Sequence, residues 1–148
     1  MDWNLKKYLE LKMKKIEAIR KYFDKCPLLD EEARINIDYI GNEAIEYAIY
    51  SEPINPIYKE YVDGGKIKQF GFTFTTINYY SAEILQQLEN SNFFEDFQKW
   101  IEDNNKNYIL PEVKGAIKIE ILTNGFLLDA EADKAKYQIQ LKLIYKED

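Results

Sequence analysis

Apolar residues recur every three or four positions near the start of the chain, at Leu5, Leu9, Met13, Ile16, Ile19 and Phe23. That spacing lays one stripe along an amphipathic helix, with Asp2 positioned to cap its start and Pro27 to stop it. The pattern then changes to alternation. Ile35, Ile37 and Tyr39 alternate with Asn36 and Asp38, and Ile45, Tyr47 and Ile49 alternate with Glu46 and Ala48. Two strands separated by Gly41-Asn42 are expected. Pro53 and Pro56 mark a loop, because proline cannot donate to a strand ladder.

From Tyr58 to Tyr80, two β-prone runs flank Asp63-Gly64-Gly65, residues that tolerate the positive φ of a tight turn. This predicts a long antiparallel hairpin. Its second strand sets Phe70, Phe72 and Phe74 on a buried face, with Gln69, Gly71, Thr73 and Thr75 on a largely polar one. Helical periodicity returns from Ser81 through Ile84, Leu85 and Leu88, and again through Phe93, Phe94, Phe97, Trp100 and Ile101. Glu89-Asn90-Ser91 interrupts it, and Asn92 with Glu95 has the form of a capping box, so one broken helix or two short ones are expected to end near Asp103-Asn104-Asn105. The last third predicts two strands, one through Ile117, Ile119 and Ile121 and one from Tyr137 to Tyr145. Between them, Thr123 through Lys134 reads as a protruding acidic connection.

The fold class that follows is α+β: a single domain over residues 1–148, with an antiparallel or mixed sheet containing the long hairpin, packed against an N-terminal helix and a central broken helix. A chain of 148 residues, 46% hydrophobic and 15% aromatic, can bury a proper core and is far from a disordered composition. No apolar run approaches the roughly 20 residues of a membrane span, and the N-terminus lacks a signal-peptide core, so no membrane partner is expected.

The formal net charge of −6 argues against phosphate-backbone binding as the main activity, although Lys6, Lys7, Lys12, Lys14, Lys15, Arg20, Lys21 and Lys25 make the first helix basic. A solvated Lys-rich helix face accounts for that bias. With no histidine in the chain, Ser-His-Asp and Cys-His nucleophile arrangements are excluded. The one cysteine, Cys26, reads as a buried thiol beside a helix end. No phosphate-binding glycine motif is present, since Gly64-Gly65 leads into a strand and not a helix. Asp129, Glu131 and Asp133 alternate like calcium ligands but lack the glycine and closing glutamate of an EF-hand loop. No catalytic residue, cofactor or metal is expected.

Four stretches carry a resemblance: Ile19-Arg20-Lys21-Tyr22-Phe23 with Cys26-Pro27-Leu28-Leu29; Tyr61-Val62-Asp63-Gly64-Gly65 leading into Gln69-Phe70; Leu88-Glu89-Asn90-Ser91 before Phe93-Phe94 and Trp100; and Tyr137-Gln138-Ile139-Gln140 with Leu143-Ile144-Tyr145. Together they resemble the tail-terminator, or head-tail joining, proteins of long-tailed bacteriophages and of prophages in low-GC Gram-positive bacteria, often grouped as minor capsid proteins. The resemblance implies a non-enzymatic virion protein forming a ring, hexameric by expectation, at the head-proximal end of the tail, assembled from the host cytoplasm. Its implied partners are its own copies, the tail-tube protein, head-tail connector or neck proteins and, in a contractile tail, the sheath. DNA would pass through without specific binding. The alternatives are a neighbouring neck or head-completion adaptor, or a host module binding a small molecule or peptide. Projecting loops commonly carry subunit contacts, so the candidate assembly residues are Tyr61, Asp63, Gly64, Gly65 and Gln69 in the hairpin and Asp129, Glu131 and Asp133 in the acidic connection.

Overall fold

A computed structural model describes residues 3–41, 44–80, 83–131 and 133–147. Asp2, Asn42 and Ser81, to which a helix cap, a turn and a helix start were assigned above, lie outside the described residues, as do the side chains of Leu5, Leu9, Met13, Ile84 and Leu85. The described residues form two helices, α1 (Trp3–Asp24) and α2 (Ile84–Lys106), and seven strands in one mixed sheet. The strands are β1 (Ile35–Ile37), β2 (Glu46–Glu52), β3 (Ile57–Glu60), β4 (Lys66–Tyr79), β5 (Ala116–Ile121), β6 (Phe126–Glu131) and β7 (Lys134–Glu147).

The frame of the sheet is the β4–β7 ribbon, an antiparallel pair running in unbroken register from Lys66 opposite Glu147 to Tyr79 opposite Lys134. Two strands share each outer edge of this ribbon. Along β4 lie β2, opposite residues 71–77, and β3, opposite residues 66–68. Along β7 lie β5, opposite residues 141–145, and β6, opposite residues 134–138. β1 continues the sheet beyond β2 and pairs with it in parallel, which makes the sheet mixed.

The period-2 pattern of β4 and β7 puts Phe72 opposite Leu141 and Phe74 opposite Ile139 on one face. Both helices bury their stripes there. Ile16, Ile19, Tyr22 and Phe23 of α1 and Phe94, Phe97 and Ile101 of α2 join those strand residues in one core, with Phe70 and Trp100 packed at its margin. Phe23 is the centre of the aromatic cluster, stacked on Phe97 with ring centroids 5.4 Å apart and tilted against Phe74 at 5.3 Å. Such pairs prefer these offset and inclined geometries because of the ring quadrupole.

Four expectations are corrected. The hairpin expected to be long is short: β3 pairs only with residues 66–68 of β4, and β2 takes residues 71–77 of the same edge. The central helix is continuous from Ile84 to Lys106. Asn90, expected to interrupt it, is buried, and its side-chain amide donates to the Tyr79 carbonyl at 3.0 Å and to the Tyr137 hydroxyl at 3.3 Å. The polar group that suggested a break therefore serves a tertiary contact instead. The polar face of β4 is also covered mid-strand: Thr73 is 0% exposed and Thr75 2%. There Ile54, from the Pro53–Pro56 loop, lies over Gly71, and Tyr50 and Gln140 flank Thr73 across the ladders. Finally, the expected connection from Thr123 to Lys134 contains β6. Its alternation is hidden by a bulge between Leu127 and Asp129, which gives the non-alternating run Phe126-Leu127-Leu128.

Candidate interaction surfaces

At β5 and β1, the terminal strands of the sheet path, a helix side chain meets the outer backbone. On the β5 side the Asn105 amide imitates a strand: its Nδ2 donates to the Ile119 carbonyl at 2.8 Å, and its Oδ1 accepts the Ile119 N–H at 3.1 Å. On the β1 side Arg20 Nε donates to the Ile35 carbonyl at 2.8 Å. Closing an exposed edge in this way removes a template for uncontrolled strand pairing. The two short outer strands differ from these. All four residues of β3 are exposed, as are all of β6 after Phe126. They stand at opposite ends and on opposite sides of the β4–β7 ribbon.

The hairpin residues singled out from sequence gather at the β3 end. The Tyr61 N–H donates to the Gly65 carbonyl at 2.8 Å, the Gly64 N–H to the Tyr61 carbonyl at 3.0 Å, and the Gly65 N–H to Asp63 Oδ1 at 3.0 Å. Gly64 has φ +91°, the left-handed region that glycine enters without a Cβ penalty, while Gly65 lies outside that region. This turn holds Val62 fully in solvent and leaves Tyr61 exposed, with Lys59 Nζ 5.1 Å from the Tyr61 ring centroid. Gln69 is engaged within the chain: it donates to the Asn55 carbonyl at 2.8 Å and accepts from Lys142 Nζ at 3.0 Å, pinning the Pro53–Pro56 loop to the sheet.

At the other end Asp129 and Glu131 project from β6, and Asp133 sits in the turn into β7, where its carbonyl accepts the Tyr80 N–H at 2.7 Å. The three line a cleft of about 400 Å³ with Gly41, Ile77, Lys134 and Lys136. Lys134 and Lys136 stand across the ladder from Glu131 and Asp129. Among the described residues no group of three or more His, Cys, Asp or Glu side chains is disposed to hold a metal ion. The structure therefore brings the hairpin residues together and the acidic residues together, but holds the two groups apart along the ribbon.

One cluster went unnoticed in the sequence. Lys14 and Lys15 of α1, Lys114 before β5, and Lys146 of β7 converge on a cleft of about 480 Å³ that also contains Glu112, Val113, Tyr145 and Glu147. Lys15 Nζ sits 5.1 Å from the Tyr145 ring centroid. Burial pushes the Lys15 amine below its ordinary value, partly offset by Glu147 and reinforced by Lys68. Glu147 itself contacts Lys68 Nζ at 3.0 Å. The only sequence signal was the basic first helix, and three chain segments must meet before it becomes a site.

Cys26 is buried just past the end of α1, where its N–H donates to the Phe23 carbonyl at 2.9 Å. Burial pushes its thiol above the ordinary range, with hydrogen bonds to the Leu28 and Leu29 backbone opposing the shift. A thiol held protonated is a weak nucleophile. No helix among the described residues is long and apolar enough to cross a membrane. Comparison with protein-family models and with curated proteins gives no match.

Proposed function

We propose that this protein is a structural, non-enzymatic virion component of a long-tailed bacteriophage: a tail terminator that closes the head-proximal end of the tail tube as a ring and joins it to the head connector. The observation that carries this reading is the disposition of its two exposed outer strands. A subunit with two different surfaces at opposite ends of a stiff ribbon can contact its neighbours head to tail, and such contacts close into a cyclic ring when the rotation per subunit allows it. The resemblance implies six copies. The aromatic core and the continuous β4–β7 ladder make the subunit rigid, as a tube-capping part must be. The net charge of −6 favours a ring that DNA crosses without adhering, since phosphates bind basic linings.

The ring's partners in this reading are the tail-tube protein on one side and neck proteins on the other, with the sheath added in a contractile tail. Deletion of the gene from its phage tests the proposal. The expected outcome is DNA-filled heads beside unattached tails of irregular length. Normal infectious particles would end it.

A further inference from the structure

We infer that the lysine-lined cleft between α1 and the Glu112–Gly115 segment is the receptor for strand β6 of a second copy of this chain. The inference rests on the assembly role proposed above and names the surfaces that would meet. The cleft and β6 match in two respects. β6 presents Leu127, 45% exposed, and Leu128, 52% exposed, followed by Asp129 and Glu131, and contains no cation. The cleft is lined by Val113 and Tyr145 and by four lysines, of which Lys15 sets its amine over the Tyr145 ring, against only Glu112 and Glu147. With Glu147 already paired to Lys68, the cleft is positive in a molecule that is negative as a whole.

Geometry favours a neighbour over the chain's own β6. The cleft lies at the Lys146 end of β7 and β6 at the Lys134 end, roughly ten residues and about 33 Å apart at 3.3 Å per residue. One copy therefore cannot fill its own cleft, and filling a neighbour's leaves its cleft free for a third. The half-buried Lys15 also has its charged form disfavoured by desolvation, which an incoming carboxylate would relieve. Lys134 and Lys136, facing the β6 carboxylates across the ladder, weaken the attraction. The contact is thus weak in isolation and sensitive to salt, as suits a ring that must wait for its tube.

Disulfide trapping tests this without requiring a stable oligomer. In a Cys26→Ala background, Lys114→Cys and Leu128→Cys are combined in one chain; both positions are exposed, so folding is not at stake. Mild oxidation of the concentrated protein is expected to give a ladder of covalent dimers, trimers and higher species. Linking should run about ten-fold faster than for the control pair Tyr39→Cys with Leu128→Cys, whose positions are also exposed, since electrostatic steering raises encounter rates by at least that factor. The advantage should disappear in high salt or on adding Lys14→Glu with Lys146→Glu. Linking no faster than the control, or unaffected by salt and charge reversal, overturns the inference. If the unmodified chain still self-associates after such a result, the interface is wrong and the ring reading survives. If the pair links as expected while gene deletion leaves normal particles, the phage assignment fails and the self-association surface stands.

Discussion

Asn105 shows how much one side chain can decide. Its amide meets both backbone groups of Ile119 and closes an edge that would otherwise offer an unpaired N–H and C=O. Asn105→Leu should therefore cost about 1–3 kcal/mol, the penalty for leaving partly buried polar groups unmet, read as a lower denaturation midpoint. The opposite sign is expected where the polar group has no partner. Thr73 and Thr76 are fully buried, and their hydroxyls find no partner among the described residues. Thr76→Val, nearly isosteric, should be neutral or stabilising by up to about 1 kcal/mol. Gly64→Val meets no neighbouring atom but must hold φ +91°, so it should destabilise by roughly 1 kcal/mol or more.

Tyr22 adds a pH dependence. Desolvation pushes its hydroxyl up to about 12, against a smaller opposing effect of the Asn104 amide that donates to it at 3.2 Å. The folded state thus holds this proton more tightly than the unfolded chain, where tyrosine titrates near 10. The resulting stability is fully present below about pH 10 and is lost as pH rises through about 12. Tyr22→Phe should flatten that decline in a stability-versus-pH series only in part, because Tyr47 and Tyr145 are shifted in the same direction by burial.

At the scale of elements, legibility followed the regularity of the pattern. α1, the hairpin turn and the two long strands could be located in the sequence because strict spacing recurs over many residues there, as in Phe70-Phe72-Phe74 and in Ile139-Leu141-Leu143. What escaped were places where one residue overrides the pattern. A bulge hid β6, and a buried tertiary role for Asn90 made a continuous helix look broken. Burial of Thr73 was equally unreadable: its cross-strand neighbours Tyr50 and Gln140 are set by the ladders, and Ile54 reaches the adjacent Gly71 from a proline-containing loop. Among the residues expected at an assembly interface, the turn and the acidic group each gather at one end of the ribbon, while the Gln69 side chain is bonded within the chain to Asn55 and Lys142. The lysine cleft was invisible for a simpler reason: residues 14, 15, 114 and 146 become neighbours only in three dimensions.

At the scale of the whole molecule, stability should be graded along one axis, and amide hydrogen exchange can read it. The middle of the β4–β7 ribbon is shielded by both helices on one face and by polar side chains and the Pro53–Pro56 loop on the other; Phe72, Thr73, Phe74, Ile139 and Leu141 are all 0% exposed. Its amides can exchange only when the core itself opens, so their protection should approach the global unfolding free energy. β3 and β6 each hold to the ribbon by one short, bulged ladder and bury almost nothing. Their opening exposes little apolar surface and should cost far less, so their amides exchange first, at the two ends of the molecule where neighbouring copies are proposed to bind. Binding at those ends would add the missing cover. Protection of β6 should then rise when the chain is concentrated or assembled, while the ribbon centre, already limited by global unfolding, changes little. Uniform protection across β3, β6 and the ribbon centre in the dilute chain would contradict this gradient, and with it the picture of a rigid frame carrying two loosely held contact strands.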